Sequence, residues 1–169
     1  PTPVDSDKNP DLTPVRSAIE SIVPQLQPGS LLILESTVNP GVCEDVVIPI
    51  IEASSKWRVG DNVHLAHCPE RINPGDKKWN VSNISRVVGS NSIEGLEKSY
   101  NFYSSIVDAP IKKMGNLKEA EAVKIVENSF RDINIAFVNE LAMSFHKLGI
   151  DVENVIDGAA TKPFSFMPH

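Results

Sequence analysis

The sequence predicts an α/β protein built on a doubly wound sheet, because short apolar runs alternate along the chain with segments of helical spacing. Leu31-Leu32-Ile33-Leu34 is a continuous apolar run, which suits a strand buried on both faces of a parallel sheet. Val63 to His67, Arg86 to Gly89 and Ile111 to Met114 are read as further short strands. The segment 117–148 keeps a helical period longer than any other.

Taken in order, Pro14 to Val23 has helical spacing that stops before Pro24, and Pro28-Gly29 makes a turn. After the 31–34 strand, Gly41 to Ala53 is a predicted helix that Pro49 should bend or shorten. The 63–67 strand leads into Pro69 to Ser85, whose Pro, Gly, Asn and Lys content and lack of period predict a long loop. Loops of that length in compact domains are usually functional. The 86–89 strand precedes a helix from Ser92 to Ile106 with a serine cap, then the strand 111–114. The long helix runs from about Leu117 to Leu148, with Gly149 as its stop, and a short helix from Asp151 to about Ala159 follows. Pro163 to His169 reads as an exposed tail. There is no internal repeat and no low-complexity stretch. The opening Pro-Thr-Pro has no strand before it, and Phe164-Ser165-Phe166-Met167 is apolar without obvious cover, so the chain is expected to be an internal segment of a longer protein.

With 169 residues, 41% of them hydrophobic and 22% charged, the chain can bury a core and is neither disordered nor collagen-like. A net charge of −6 argues against a nucleic-acid partner, which needs a basic face to displace counterions. No apolar run approaches the roughly 18 residues of a membrane span. Cys43 and Cys68 cannot make a disulfide framework, and Pro1 to Asp5 has no basic region leading into an apolar stretch. A cytoplasmic protein with no membrane contact is the expectation.

Ligands of open α/β sheets lie beyond the carboxyl ends of the strands. That rule selects Thr2, then Ser36 and Thr37, then Pro69-Glu70-Arg71. The alternative is that these residues only cap turns and helices. On the long helix, Lys124, Asn128 and Arg131 stand at i, i+4 and i+7 and so share one stripe. Val123, Val126, Phe130, Ile133, Phe137 and Leu141 flank it and suffice to bury much of the helix. A buried Lys-Asn-Arg stripe is costly unless something anionic or hydrogen-bonding fills it. Lys124 could serve as acid, base or oxyanion partner, and Asn128 could bind a sugar hydroxyl or oxyanion. The competing reading is a solvent-facing stripe paired to Glu121 and Glu127. Glu70 is a candidate general base or a turn cap. Cys68 sits at a strand end, where cysteine usually acts as a small hydrophobe. His64 and His67 are three apart on a strand, point to opposite faces and make a poor metal pair, so no metal is expected. No Gly-x-Gly-x-x-Gly occurs, so the chain holds no glycine cradle for a dinucleotide pyrophosphate.

Pro-Thr-Pro at 1–3, Glu-Ser-Thr-Val-Asn-Pro-Gly at 35–41, His-Cys-Pro-Glu-Arg-Ile-Asn-Pro-Gly at 67–75 and Glu-Ala-Glu-Ala-Val-Lys-Ile-Val-Glu-Asn at 119–128 together resemble the UDP-glucose/GDP-mannose dehydrogenase family. The likeness covers nearly the whole chain and is most specific at 67–75. It points to the branch acting on N-acetylated UDP-hexosamines such as UDP-N-acetylmannosamine. The resemblance implies residues 1–115 as the second half of a Rossmann-like NAD-binding domain. It implies 116–169 as a connecting helix and the start of an all-helical central domain. Such enzymes oxidise C6 of the sugar twice, using two NAD and a cysteine that holds the aldehyde carbon as thiohemiacetal and then thioester. By resemblance Thr2 and Thr37 contact NAD, and Glu70 assists thioester hydrolysis. Lys124 and Asn128 polarise the reacting oxygen, and Arg71, Ile72 and Arg131 hold the UDP-sugar. A homodimer forms through the long helix, 117–148. Two departures stand out: the glycine fingerprint and the segment with the nucleophilic cysteine are absent, and neither Cys43 nor Cys68 matches that cysteine. The chain alone is therefore expected to be inactive. Pro74 stands where the UDP-glucose branch has a second carboxylate, which favours the hexosamine branch. Lys-x-x-x-Asn by itself also fits 3-hydroxyacid and 6-phosphogluconate dehydrogenases. The rival from another class is a non-catalytic binding or dimerisation module of the same fold.

Overall fold

The structure is a computed structural model that describes residues 3–73, 75, 78–164 and 166. It forms two compact units, Pro1–Ile125 and Val126–His169. The first contains helix α1 (Thr13–Ile22), strand β1 (Leu31–Leu34), helix α2 (Ile48–Glu52) and strand β2 (His64–His67). Strand β3 (Arg86–Ser90), helix α3 (Ile93–Ser104), strand β4 (Ile111–Lys113) and the start of helix α4 (Leu117–Lys147) complete it. The second contains the rest of α4 and helix α5 (Val152–Ala160).

Local chemistry explains the element boundaries. Val15 and Ile19, four apart, are the buried residues of α1, and a proline in its first turn costs no hydrogen bond. Pro49 splits the helix predicted over Gly41 to Ala53. Proline has no N–H and crowds the carbonyl four residues back. The chain answers with a wider π-helical turn over Cys43–Val47, and α2 then starts at Ile48 with Pro49 in its first turn. Ser92 caps α3 by accepting from the Gly95 amide at 3.1 Å, and Asp151 caps α5 by accepting from the Glu153 amide at 2.9 Å. Gly149, at φ +68°, supplies the left-handed residue that ends α4.

The sheet has the order β1-β2-β3-β4. β1 and β2 are parallel, in register from Leu31↔His64 to Leu34↔His67, and β3 and β4 are parallel from Arg86↔Ile111. The expected parallel sheet is thus mostly present, with one departure: β3 runs antiparallel to β2, pairing Ala66 with Ser90 and His67 with Gly89. The described residues between β2 and β3 form no helix. A parallel return normally needs a helical crossover, and without one the strand comes back in the opposite direction. This reversal sets Arg86, the first residue of β3, at the edge where β2 ends.

The core lies on both sides of the sheet. Val63 and Leu65 pack with α1, α2, Trp57 and Leu117 on one face, while Cys68, Val88, Tyr103 and Val107 cluster on the other. β2 and β3 are buried throughout, but β1 is only half-buried, which corrects the expectation of burial on both faces. Among the described residues β1 is one of the two edge strands of this sheet. The predicted burial of α4 also fails along most of its length. Leu117, Ala120 and Glu121 are buried, whereas Val126, Ile133 and Phe137 are 65%, 67% and 53% exposed. These apolar residues have the right spacing for a core face, but they stay exposed among the described residues.

Close approach between β3 and the start of α4 depends on Gly89. A Cβ there would overlap the Asn116 carbonyl oxygen and stand 2.8 Å from the Ala120 Cβ. Gly89→Ala should therefore destabilise the protein by about 1–3 kcal/mol, the usual cost of overpacking. Gly158→Ala, on open helix surface, should instead be neutral or stabilise by up to about 1 kcal/mol. Urea midpoints decide: an unchanged midpoint for Gly89→Ala means that α4 does not approach β3 this closely.

Candidate functional site

The carboxyl ends of β1 and β2 leave side by side into Glu35-Ser36-Thr37 and Cys68-Pro69-Glu70. The pairing outlasts the strands: the Cys68 amide donates to the Leu34 carbonyl at 3.1 Å and the Glu70 amide to the Glu35 carbonyl at 3.2 Å. The Glu70 carboxylate is held at three points. Its Oε1 accepts from the Arg71 and Ile72 amides at 2.7 and 2.8 Å, and its Oε2 accepts from Arg86 Nη2 at 3.2 Å. Partial burial alone would raise the Glu70 pKa, but the amide bonds and the Arg86 charge outweigh it and hold it below the usual carboxylate range.

Arg86 is 3% exposed and sits between two carboxylates, with Nη1 3.7 Å from Glu35 Oε1. Its guanidinium lies 5.3 Å from the centre of the Tyr103 ring. Burial opposes its charge, yet Glu70 and its other neighbours raise its pKa. Nε and Nη1 make no hydrogen bond to the described residues, so Arg86 keeps donor capacity inside this network. The Tyr103 hydroxyl donates to Glu35 at 2.5 Å; burial and that carboxylate push its pKa up. Burial likewise raises the Cys68 thiol, which is fully buried and behaves as the predicted small hydrophobe. Glu35, Glu70, Arg86, Phe102 and Tyr103 help line a recess of about 540 Å³. Sequence reasoning missed Arg86, Glu35 and Tyr103. The available signal was an arginine opening an otherwise apolar run, which is costly unless a carboxylate meets it.

The other candidates divide into groups. Thr37 is half-buried just beyond β1, and Ile72 and Arg71 lie half-buried beside Glu70. Arg71 Nη1 donates to the Ser85 carbonyl at 2.8 Å, tying the two ends of the long loop together. Thr2 and Pro74 lie outside the described residues. Lys124 is half-buried on α4 within the first unit. Asn128 and Arg131 lie on the same uninterrupted helix in the second unit, where they line one recess with Ser129, Asp132 and Ile135.

Glu121 is not the surface partner of a solvent-facing stripe. It is fully buried, its Oε2 accepts from the Gly41 amide at 2.6 Å, and its Oε1 accepts from the Cys43 amide at 2.8 Å. These amides open the helical turn that follows the Thr37 segment, where unpaired N–H groups favour an anion. His67 and Cys43 lie beside it, both fully buried. Burial pushes the His67 imidazole down to about 4; burial and Glu121 push the Cys43 thiol up.

The Arg86 clamp has a consequence for pH. Because the folded pKa of Glu70 is depressed, its stabilising contribution is present above the unfolded value of about 4.3 and is lost as pH falls through the folded value. Arg86→Met should raise the Glu70 pKa toward that ordinary value and shrink the acid-side loss. A carboxyl-detected NMR titration reads this directly. An unmoved Glu70 resonance would show that Arg86 does not set its charge state.

Residues 1–107 match the UDP-glucose/GDP-mannose dehydrogenase family, NAD binding domain, and residues 118–169 match the central domain of the same family. UDP-N-acetyl-D-glucosamine 6-dehydrogenase of Pseudomonas aeruginosa is 45% identical over 168 residues, covering 99% of this chain and 40% of that protein. UDP-N-acetyl-D-mannosamine dehydrogenase of Methanocaldococcus jannaschii is 37% identical over 166 residues, covering 96% of this chain and 37% of that protein. The solved structure of UDP-D-ManNAc dehydrogenase from Pyrococcus horikoshii superposes with a TM-score of 0.92 at 35% identity, over 99% of this chain and 39% of its own. The chain thus spans about two fifths of the length of these relatives.

Proposed function

This chain belongs to the UDP-glucose/GDP-mannose dehydrogenase family, and from that premise we propose that it is part of an enzyme oxidising C6 of a UDP-N-acetylhexosamine to the uronic acid in two NAD-dependent steps. The observation that carries the reading is the Glu70 carboxylate, held ionised by Arg86 and two amides at the sheet edge where α/β proteins bind ligands. A carboxylate kept below its usual range is deprotonated at neutral pH and ready to accept a proton. Its basicity is modest, so its contribution is as much to orient an attacking water as to take the proton. The relatives support an N-acetylated sugar, since their names specify UDP-N-acetyl-glucosamine and UDP-N-acetyl-mannosamine.

NAD, when bound, supplies the hydride acceptor for both oxidations. Thr37 gives that cofactor a half-buried polar contact beyond β1, with Thr2 as a second contact; the glycine cradle for the pyrophosphate is not among residues 1–169. Lys124 and Asn128 donate to the sugar oxygen whose charge changes during reaction. Arg71, Ile72 and Arg131 hold the nucleotide sugar. The exposed apolar face of α4, with Val126, Ile133 and Phe137, supports a homodimer formed through that helix. The free thiols of Cys43 and Cys68 support a reducing, cytoplasmic setting.

Kinetics on the full-length enzyme test this assignment. Lys124→Ala should lower kcat by about 10²–10³, while Arg71→Ala and Arg131→Ala should mainly raise KM. Glu70→Gln should leave the first hydride transfer largely intact and slow hydrolysis, giving a burst of NADH with a covalent enzyme–sugar adduct in rapid-quench samples. Normal turnover by Glu70→Gln, or failure before the first NADH, removes Glu70 from the hydrolytic step. Residues 1–169 alone should reduce no NAD with any UDP-sugar; turnover there would redirect attention to Cys68. A full-length protein inactive on every UDP-sugar would favour a non-catalytic module.

A further inference from the structure

A second cluster lies behind the sheet edge, and the chemistry above does not use it as a unit. Cys43 opens the turn after the Thr37 segment, His67 ends β2, and Glu121 lies near the start of α4. One donor atom from each lies within 4.8 Å of the other two. All three residues are fully buried. Neither His67 nitrogen has a hydrogen-bond partner among the described residues, although a neutral imidazole carries one donor and one acceptor. A buried imidazole without partners among the described residues, beside a thiol and a carboxylate, is an arrangement that hydrogen bonding within the protein leaves incomplete.

We propose that Cys43, His67 and Glu121 form a binding site for a divalent transition ion of the zinc class. Sulfur, imidazole nitrogen and carboxylate oxygen are the donors that zinc takes, and three protein ligands are sufficient for a site with one further position. Hard cations are disfavoured by the thiolate. On binding, the Cys43 S–H bond breaks, its proton passes to solvent, and the sulfur electron pair goes to the metal. A thiolate and a carboxylate together balance the double charge of the ion, so the loaded site is neutral and suited to burial. The Glu121 oxygens are already oriented by the Gly41 and Cys43 amides, the outer-shell bonding that metal-binding carboxylates usually have. The ion would tie the segment after β1, the end of β2 and the start of α4 together, without touching Glu70 or Arg86. The site does not depend on the dehydrogenase reading.

The test uses the full-length protein purified without chelators, with zinc and cobalt(II) as probes. Elemental analysis should find one zinc per chain bound at this site. Cobalt(II) replacing it should give a thiolate-to-metal charge-transfer band. His67→Phe keeps a ring of similar size in the buried place but removes the donor. That variant should stay folded by circular dichroism and lose the zinc. Cys43→Ser should lose the charge-transfer band. Chelator should lower the Tm of the wild type and leave that of His67→Phe unchanged. A wild-type protein that holds no zinc and gives no band with cobalt overturns the proposal whether or not the variants fold. A band that survives both substitutions belongs to other thiols and overturns it equally.

Discussion

The arrangement depends on one buried carboxylate. Glu121 accepts from the Gly41 and Cys43 amides and is completely removed from solvent. Leaving such a group, or the two amides, without partners costs far more than an ordinary contact contributes, so these bonds fix where α4 begins relative to the segment following β1. Leu117 and Ala120 bury their apolar surface on either side of that anchor, and Gly89 lacks the side chain that would keep α4 away. Lys124, three residues beyond Glu121, inherits its place from this docking. The positions of the Thr37 segment and Lys124 are therefore mechanically linked through Glu121.

The electrostatics of the edge follow from a reversal of chain direction. Because β3 is antiparallel to β2, its first residue rather than its last faces the carboxyl end of β2. Arg86 thereby meets Glu70 and Glu35. Its charge is stabilised by those carboxylates and by the Tyr103 ring, and in return it keeps Glu70 ionised. A parallel β3 would have carried Arg86 to the opposite edge and left Glu70 with only its two amides.

Much of the fold was legible before any coordinates. Leu31 to Leu34, His64 to His67 and Ile111 to Lys113 are strands, as their short length between turns and helical segments led one to expect. The cap at Ser92, the stop at Gly149 and the break that Pro49 makes in the 41–53 helix are local effects of single residues, and they act as predicted. Glu70 was visible because it directly follows a strand. Arg86, Glu35, Tyr103 and the inward turn of Glu121 were not. Their partners lie 16, 68 and 80 residues away in sequence, and no periodic pattern encodes such pairings.

The amino-acid sequence by itself determined the element order, the family likeness and the candidate residues at 36–37, 70–72 and 124–131, since each rests on neighbours within a few residues. Tertiary structure alone decided the direction of β3, the clamp on Glu70, the burial of Glu121 and the meeting of Cys43 with His67. It also decided that Val126, Ile133 and Phe137 of the apolar stripe of α4 stay exposed. Periodicity reports which face of a helix is apolar, but burial needs a second surface to press against it, and the described residues do not provide one for Val126, Ile133 and Phe137.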